Sequence, residues 1–460
     1  MISTALSGEL RGRYLGRWLF IGLHEHCMHR IPANSPMARW ERTLQWALFL
    51  LILLINWHSA WLQHQHDPYE FLRHGTDSLG YYQWLPCTFI EWDWTRMYWT
   101  YMQENGPWIS LFTIGVAVLE LPFFLVGHWA AWVFGYDLNG FSSPYGVAIM
   151  LGTSVYTAAG CVLAFMLARR FSSALPALLA VLLLYAGTNL FYYSVQQPMM
   201  SHLHSFFLIT LYAWSALRMI DGPRPLHVAA LVISGALLVL VRQLNIFCLL
   251  FPLLVGGWPA MRALLRNLMM HKAAFYVSLA LALTPWVLQM IYWHWVTGEA
   301  ITFTYGKKDE HFDFGRMVPG MVLFSPRNGW LVYTPLMIPV LIMVVRRAWQ
   351  GMAPARTLLL LVCLTWLLYS AWWSWWLGGS FGHRGFVDLY GLLAIPLAWL
   401  MHAVLKRPII WRLSAAIFLA AIVHLNLSLT ELYEPHWSDH GWEWKHFFGK
   451  VSEVVVGKTK

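Results

Sequence analysis

The chain alternates long apolar stretches with short polar segments from residue 44 to residue 428. Several of these stretches approach the ~20 residues that a helix needs to cross a bilayer. Composition agrees, because 58% of the residues are hydrophobic and only 12% are charged, about half the charged share of a soluble domain. The pattern predicts an all-α, polytopic transmembrane helical bundle. It excludes a disordered chain, a coiled coil and an ordinary soluble enzyme.

The basic residues set the expected orientation. The net charge of +9 comes from clusters between apolar stretches, which is typical of cytoplasmic loops and argues against nucleic acid as a partner. Six arginines precede residue 44, so the N-terminus is predicted to be cytoplasmic. The expected regions are a cytoplasmic segment at 1–43 with an interfacial helix at 15–23, a transmembrane domain at 44–428, and an outward-facing tail at 429–460.

With that orientation the apolar stretches predict about 11 spans. The stretch 109–134 is also long enough to span, but a span there would put every later basic cluster on the wrong side. For 109–134 we therefore expect helices lying in the outer interface, or a re-entrant hairpin. The predicted spans are 44–62, 145–168, 174–192, 203–220, 226–241, 243–257, 273–296, 329–345, 357–373, 388–405 and 410–428.

Acidic residues are distributed unevenly in this topology. Of the 22 Asp and Glu residues, only Glu9, Glu25, Glu41 and Asp221 fall on the cytoplasmic side. The cytoplasmic loops are also short, so we expect the chemistry on the outer face. No GxxxxGK[ST] motif occurs, so the chain is not expected to be an ATP-driven pump by its own motor.

The first outer loop carries the main candidate base. In the segment DSLGYY, Asp77 precedes Tyr81 and Tyr82. A carboxylate there can deprotonate an acceptor hydroxyl as a general base, and the aromatic rings can stack on sugar rings or lipid headgroups. The alternative interpretation of the loop alone is a solvated connector with interfacial tyrosines.

Polar residues at the outer ends of later spans are candidates for substrate binding. Gln197 and His202 lie in the turn after the span 174–192, although capping of helix ends would explain them equally well. His202 and His204 are two residues apart and so do not share a helix face. A metal site made by those two alone is therefore not expected.

Cationic residues recur at the same outer level. Arg242 interrupts an apolar run, and such a charge is costly unless it is paired or faces a wet cavity. The dense loop 297–328 adds Lys307 and Arg327, which could bind a phosphate. In the Trp-rich and Gly-rich loop before residue 388, His383 precedes Arg384. Arg384 could bind an anion or pair with Asp388 four residues later.

The order of these motifs resembles the GT-C class of polytopic membrane glycosyltransferases, a group that includes the protein mannosyltransferases and the aminoarabinose transferase of lipid A. The resemblance extends over most of the chain after residue 44. The segments that carry it are DSLGYYQWLP (77–86), the apolar stretch ending in FG (109–135), TNLFYYSVQQPMMSHLHSFF (188–207), VRQLN (241–245), FSPRNGWLVYTPL (324–336) and WWLGGSFGHRGFVDLY (375–390).

The resemblance implies a GT-C-like fold with juxtamembrane helices in a long first outer loop. It also implies a polyprenyl-phosphate-linked sugar as donor, a lipid, glycan or protein as acceptor, and inverting transfer on the periplasmic face of a bacterial inner membrane. The acidic base of the first outer loop then matches Asp77. The class often has paired acids directly after the first span, and this chain does not, so Asp67, Glu91 and Asp93 stay open as the base or an acid partner.

The resemblance leaves two further questions open. A divalent metal, Mg²⁺ or Mn²⁺, could assist through Asp77 and a second acid, but no ligand spacing requires one. A transporter or flippase for an anionic lipid or solute would use the same cations, and a non-catalytic envelope scaffold is the third alternative. A transporter predicts charges at mid-membrane depth on broken helices, whereas here the charges cluster at the outer ends of the spans.

Overall fold

The computed structural model describes residues 36–73, 77–98, 100–102, 108–308, 310–434, 437 and 441–457. The interfacial helix predicted at 15–23 lies outside the described residues, as does most of the predicted N-terminal segment.

Helices dominate the described chain, and the all-α prediction is confirmed. The two strands, β1 (Tyr101–Met102) and β2 (Trp108–Ile109), form one two-residue antiparallel ladder. The helices are α1 (Pro36–His64), α2 (Glu70–Arg73), α3 (Asp77–Tyr82), α4 (Trp84–Phe89), α5 (Gly115–Phe134), α6 (Ser143–Arg169), α7 (Ala174–Ala186), α8 (Leu190–Val195), α9 (Ser201–Asp221), α10 (Pro225–Val241), α11 (Phe251–Met270), α12 (Lys272–Thr297), α13 (Pro319–Phe324), α14 (Trp330–Tyr333), α15 (Met337–Trp349), α16 (Ala353–Ala371), α17 (Tyr390–Leu405), α18 (Ile409–Leu432) and α19 (Trp444–Val456). Short 3₁₀ helices occur at Trp94–Arg96, Gln243–Leu250, Thr304–Lys308 and Arg384–Leu389.

Nine helical stretches of the described chain are long and apolar enough to cross a membrane, so the chain is an all-α polytopic membrane protein. They are Arg39–His64, Gly115–Phe134, Ser143–Arg169, Ser201–Asp221, Gln243–Met270, Lys272–Thr297, Ala353–Ala371, Arg384–Leu405 and Ile409–Leu432. Two shorter apolar helices, α7 and α10, accompany them.

Two of the predicted spans are interrupted. In the range 174–192, helix α7 stops at Ala186, and Asn426 of α18 donates through Nδ2 to the carbonyls of Ala186 (3.0 Å) and Thr188 (2.8 Å). In the range 329–345, Pro335 separates α14 from α15, because proline has no N–H for the helical ladder. Hydropathy alone does not detect these breaks, since the residues on both sides are apolar.

The stretch 109–134 contains one continuous helix, α5. The re-entrant hairpin is therefore wrong as an interpretation of these residues. A hairpin needs a reversal inside the apolar stretch, and Pro122 is accommodated within the helix without one. By length and composition alone, α5 is one of the nine candidate spans.

Helix α5 runs antiparallel beside the first half of α6. A Cβ on Gly152 would lie 2.2 Å from Glu120 Oε2, and one on Gly127 would lie 2.9 Å from the Cα of Tyr145. These two close approaches fix the register of the pair, because seven residues forward in α5 match seven residues back in α6. Helix α5 thus ends far from Arg169, the last residue of α6.

Two ion pairs mark one end of the bundle. Arg169 lies 2.7 Å from Glu41 of α1, and Arg170 pairs with Asp221 at the end of α9. Helix α9 has 21 residues, so roughly 30 Å separate Asp221 from its first residue, Ser201. That length equals the hydrocarbon thickness of a bilayer, and it places Ser201 at the opposite end of the bundle.

Helix α18 continues beyond the predicted boundary at 428. Leu429 and Thr430 are buried, and the helix ends at Leu432. The following helix, α19, returns to the bundle, where Phe447 packs edge to face against Tyr333 with ring centroids 5.3 Å apart. The described part of the C-terminal tail is therefore packed against the core.

Candidate functional site

Helix α3 positions Asp77 at the end of the bundle where α9 begins. Ser78 Oγ donates to the carbonyl of Pro198 at 2.7 Å, and the Tyr81 hydroxyl donates to Ser201 Oγ at 2.9 Å. Gly80 allows a close approach of Phe112, since a Cβ there would lie 2.1 Å from its ring. These contacts fix α3 against the turn that precedes α9.

The loop 377–383 brings Arg384 to Asp77. Gly382 has φ +66° and lies against Tyr333, where a Cβ would approach to 2.7 Å, so glycine fits this turn. Asn189 Nδ2 donates to the Phe381 carbonyl at 3.0 Å. With the loop held in this way, Arg384 Nη2 lies 2.8 Å from Asp77 Oδ2, with the two side chains 18% and 31% exposed.

Arg242 forms a second charged group at the same level. Its Nε lies 3.2 Å from Asp388 Oδ2, and its Nη1 lies 3.2 Å from both Ser201 Oγ and His202 Nε2. Its Nη2 donates to the Tyr369 hydroxyl at 2.6 Å. The guanidinium is therefore held from three sides by residues of three different segments.

The His202 ring bridges Arg242 and Asp388 within this charged group. Its Nδ1 lies 2.9 Å from Asp388 Oδ1. Because Arg242 can only donate to Nε2, Nδ1 carries the proton and donates to Asp388. His204 points elsewhere and bonds Glu120 of α5 through Nε2 at 2.8 Å. The prediction that His202 and His204 do not share a helix face is confirmed.

A cleft of about 260 Å³ lies over these groups. It brings together five of the residues that the sequence singled out. These five are Asp77, Tyr81, His202, Arg242 and Arg384. The rest of its lining is Leu111, Phe112, Thr113, Val241, Gln243, Leu244, Phe303, Tyr305, Glu310, Phe312, Tyr369, Trp372, Trp373, Ser374, Leu377 and Gly378.

The three alternative acids lie away from the cleft lining. Asp67 Oδ1 accepts from the Tyr69 amide at 3.3 Å, and Glu91 accepts from the Tyr98 hydroxyl. Asp93 caps a 3₁₀ helix by accepting from the Thr95 amide at 2.8 Å. Hydrogen bonds from the Thr95 side chain and amide lower the pKa of Asp93. Of the four candidate bases, the cleft contains Asp77.

Other predicted residues are also placed outside the lining. Tyr82 is fully buried, with its hydroxyl donating to the Gly140 carbonyl, and Gln197 lies in the turn before α9. The Arg327 guanidinium stacks 3.7 Å from the ring centroid of Trp376. The side chain of Lys307 lies outside the described residues. Direct substrate contact by Tyr82, Gln197 or Arg327 therefore has no support in this geometry.

His383 lies behind the cleft and not in its lining. Its ring packs edge to face on Tyr369 at 4.8 Å and on Phe386 at 5.1 Å. Burial lowers the pKa of His383 to about 3, so the ring is neutral at neutral pH. The ring supports the aromatic wall from behind.

Arg384 does not pair with Asp388, which was the structural alternative to anion binding that the spacing allowed. Residues Arg384–Leu389 form a 3₁₀ helix, in which side chains three residues apart align and those four apart diverge. Arg384 therefore turns to Asp77, and Asp388 turns to Arg242 and His202. A sequence signal for the 3₁₀ turn would have been needed to predict that Arg384 and Asp388 have different partners.

Sequence reasoning also missed several residues of the cleft. Tyr369 lies near the end of an apolar helix, and Tyr305 and Glu310 lie in a polar loop. None belongs to a local motif, so no pattern in the chain signals a role. Their common feature is their position at the end of the bundle where α9 begins.

The described residues contain no group of three or more His, Cys, Asp or Glu that could hold a metal ion. Asp77 Oδ2 already contacts Arg384. A divalent ion in this cleft would therefore need ligands from a bound phosphate. Within the described lining of the cleft, the cations are Arg242 and Arg384.

The chain matches no protein-family model and no curated protein. Function is therefore inferred from the chemistry of the cleft.

Proposed function

We propose that the chain is a glycosyltransferase that moves a sugar from a polyprenyl-phosphate donor to an acceptor hydroxyl, with inversion at the anomeric carbon. The observation that carries the proposal is the position of Asp77 in one cleft with Arg242 and Arg384. A carboxylate and two cations in one partly enclosed site provide a base for the acceptor and stabilisation for a phosphate leaving group.

In the proposed reaction the acceptor hydroxyl transfers its proton to the Asp77 carboxylate. Its oxygen forms a bond to the anomeric carbon while the bond from that carbon to the phosphate oxygen breaks. The bonding electrons remain on the phosphate, which leaves as polyprenyl phosphate. Arg242 and Arg384 face the charge that develops there, and such preorganised cations are usually the largest catalytic contribution.

The ion pair between Asp77 and Arg384 links the two halves of this reaction. When Asp77 accepts the proton, its negative charge disappears and Arg384 loses its counter-charge. At the same moment the leaving phosphate gains negative charge. Arg384 can then exchange one anionic partner for the other without a net change of charge in the cleft, which limits the electrostatic cost of the step.

The donor's lipid chain fits the apolar part of the lining, where Leu111, Leu244 and Phe303 face the cleft. The aromatic rings of Trp372 and Trp373 offer flat surfaces for a sugar. Lipid, glycan and protein hydroxyls are all compatible acceptors by this chemistry.

The number of spans and the membrane orientation are further parts of the proposal. It comprises about eleven spans in a GT-C-like arrangement, a cytoplasmic N-terminus and a cleft on the periplasmic side of a bacterial inner membrane. The positive-inside rule supports this orientation. Arg169 and Arg170 lie at the end of the bundle opposite Ser201, and the cleft lies at the Ser201 end.

A transporter or flippase is less well supported. Such a protein needs polar groups that continue through the membrane, whereas the ion pairs found in the described spans lie near the two ends of the bundle. The pair His204–Glu120 is only two residues deeper than His202 on helix α9. A site at one surface favours chemistry over transport.

The proposal is tested with purified protein in proteoliposomes made from the native host's total lipids. The wild type is expected to convert a polyprenyl-phosphate sugar into polyprenyl phosphate, and Asp77→Asn is expected not to. Asp93→Asn is the matched control, because Asp93 belongs to the same outer loop but lies away from the cleft lining. Equal release by wild type and Asp77→Asn would contradict the proposal.

A further inference from the structure

Tyr369, the third-last residue of helix α16, lies in the cleft wall with its hydroxyl 2.6 Å from Arg242 Nη2. Its ring has little freedom. Gly385 packs so closely that a Cβ there would lie 2.2 Å from the ring, and His383 packs edge to face on it. The side chain is 4% exposed in relative terms, so the position of its hydroxyl is well defined.

Counting donors shows what the pair can still bind. A guanidinium has five N–H groups. In Arg242 the two N–H groups on Nη1 face Ser201 and His202, and one on Nη2 donates to the Tyr369 hydroxyl. The Nε–H makes no hydrogen bond to any described residue, although Nε lies 3.2 Å from Asp388 Oδ2 as an ion pair. The fifth, also on Nη2, has no acceptor among the residues that the structure describes.

The hydroxyl of Tyr369 accepts from Arg242, so its own proton is available to a second partner. The remaining Nη2–H of Arg242 and this O–H lie next to each other in the cleft wall. Two adjacent donors, one of them charged, suit an anionic oxygen. Hydrogen bonds with an ionised partner are stronger than those between neutral groups.

We propose that Tyr369 and Arg242 together form an anion-binding corner of the cleft that takes a phosphate oxygen, and that Asp388 and His202 are positioning residues for Arg242. The identification of that phosphate as the polyprenyl phosphate of the donor rests on the proposed function. The corner itself rests on the contacts of Arg242.

The positioning role follows from the geometry of the guanidinium. Asp388 forms an ion pair with Nε at one edge of the plane, and His202 accepts from Nη1 at the next edge. His202 is itself fixed by its bond to Asp388. Asp388 is 5% exposed and His202 is 1% exposed. Because the buried guanidinium of Arg242 is fixed at two edges, its third edge, which carries Nη2, faces the position of the ligand. A lysine could not reproduce this, because its three N–H donors radiate from one nitrogen and do not form a rigid planar fork.

The test measures binding of farnesyl phosphate, with farnesol as the uncharged probe, by quenching of tryptophan fluorescence in detergent. Trp372 and Trp373 in the lining provide the signal. Tyr369→Phe is expected to weaken farnesyl phosphate binding about tenfold, the effect of one charge-assisted hydrogen bond, and to leave farnesol binding unchanged. Asp388→Asn should likewise weaken the phosphate probe alone.

Tyr390→Phe is the matched control. Tyr390 is buried near the same 3₁₀ helix, but its hydroxyl donates to Asn189 Oδ1 at 2.7 Å and lies outside the cleft lining. Farnesyl phosphate should bind this variant as it binds the wild type. If Asp388→Asn does not fold, Tyr369→Phe alone carries the test.

Four outcomes would overturn the proposal. These are no preference of the wild type for farnesyl phosphate over farnesol, unchanged phosphate binding in Tyr369→Phe, an equal loss in Tyr390→Phe, and tighter phosphate binding in Asp388→Asn. Tighter binding would mean that Asp388 only offsets charge. If Tyr369→Phe loses phosphate binding but proteoliposomes release no polyprenyl phosphate, the anion-binding corner stands and the glycosyltransferase proposal falls.

Discussion

The ion pair between Asp77 and Arg384 predicts a measurable coupling in stability. An exposed pair contributes up to ~1 kcal/mol, and breaking a fully buried pair costs about 3–5 kcal/mol. With side chains 31% and 18% exposed and a distance of 2.8 Å, this pair lies between those limits. We expect Asp77→Asn and Arg384→Gln each to lower the free energy of unfolding, with a coupling of about 2 kcal/mol between them.

The assay is a double-mutant cycle on purified protein, with unfolding followed by tryptophan fluorescence during titration with a denaturing detergent. The double variant should recover stability relative to the sum of the single losses, because neither charge is then left unpaired. The pair Arg96–Asp93, with a distance of 3.4 Å and side chains 69% and 36% exposed, is the control and should show no resolvable coupling. Additive losses at Asp77 and Arg384 would refute the pairing and the charge exchange that depends on it.

Two further predictions concern packing and pH. Gly391→Ala places a Cβ 1.7 Å from Thr210 Oγ1 and should lower the free energy of unfolding by about 1–3 kcal/mol, measured in the same titration; no loss relative to Gly320→Ala, where a Cβ meets open space, would contradict it. Because the pKa of His383 falls from 6.5 to about 3 on folding, only the unfolded chain takes up this proton below pH 6.5. The stability that depends on neutral His383 is therefore fully present above pH 6.5 and decreases as the pH falls toward 3. The free energy of unfolding falls by roughly 2 kcal/mol by pH 5. His383→Gln should have a smaller loss over the same pH range, and an identical pH dependence would contradict the assignment.

Sequence reasoning recovered the parts of this molecule that depend on local pattern. Each predicted span range contains helix, because a bilayer-length apolar stretch can satisfy its backbone only by forming one. Breaks within apolar ranges were missed, since the residues that cause them, such as Asn426 and Pro335, act through a distant contact or a single missing donor.

The site could be predicted only in part, for the same reason. Arg242 and Arg384 stand out as charges next to apolar stretches, and Asp77 stands out as the carboxylate of DSLGYY in the first loop, so each could be selected individually. The pairing of Asp77 with Arg384 could not be predicted from the sequence, because the two residues are over 300 positions apart. They meet through the packing of α3 against the turn before α9. Local spacing suggested Asp388 as the partner of Arg384, and a 3₁₀ turn overrode it.

The central claim is that Asp77 is the base of a sugar transfer from a lipid phosphate. Lipid mass spectrometry on native-host membranes tests it most directly, with wild type and Asp77→Asn compared at matched expression. The account predicts that one polyprenyl-phosphate sugar accumulates in the variant and returns to its normal level when the wild-type chain is restored. An unchanged lipid profile in Asp77→Asn would contradict the claim.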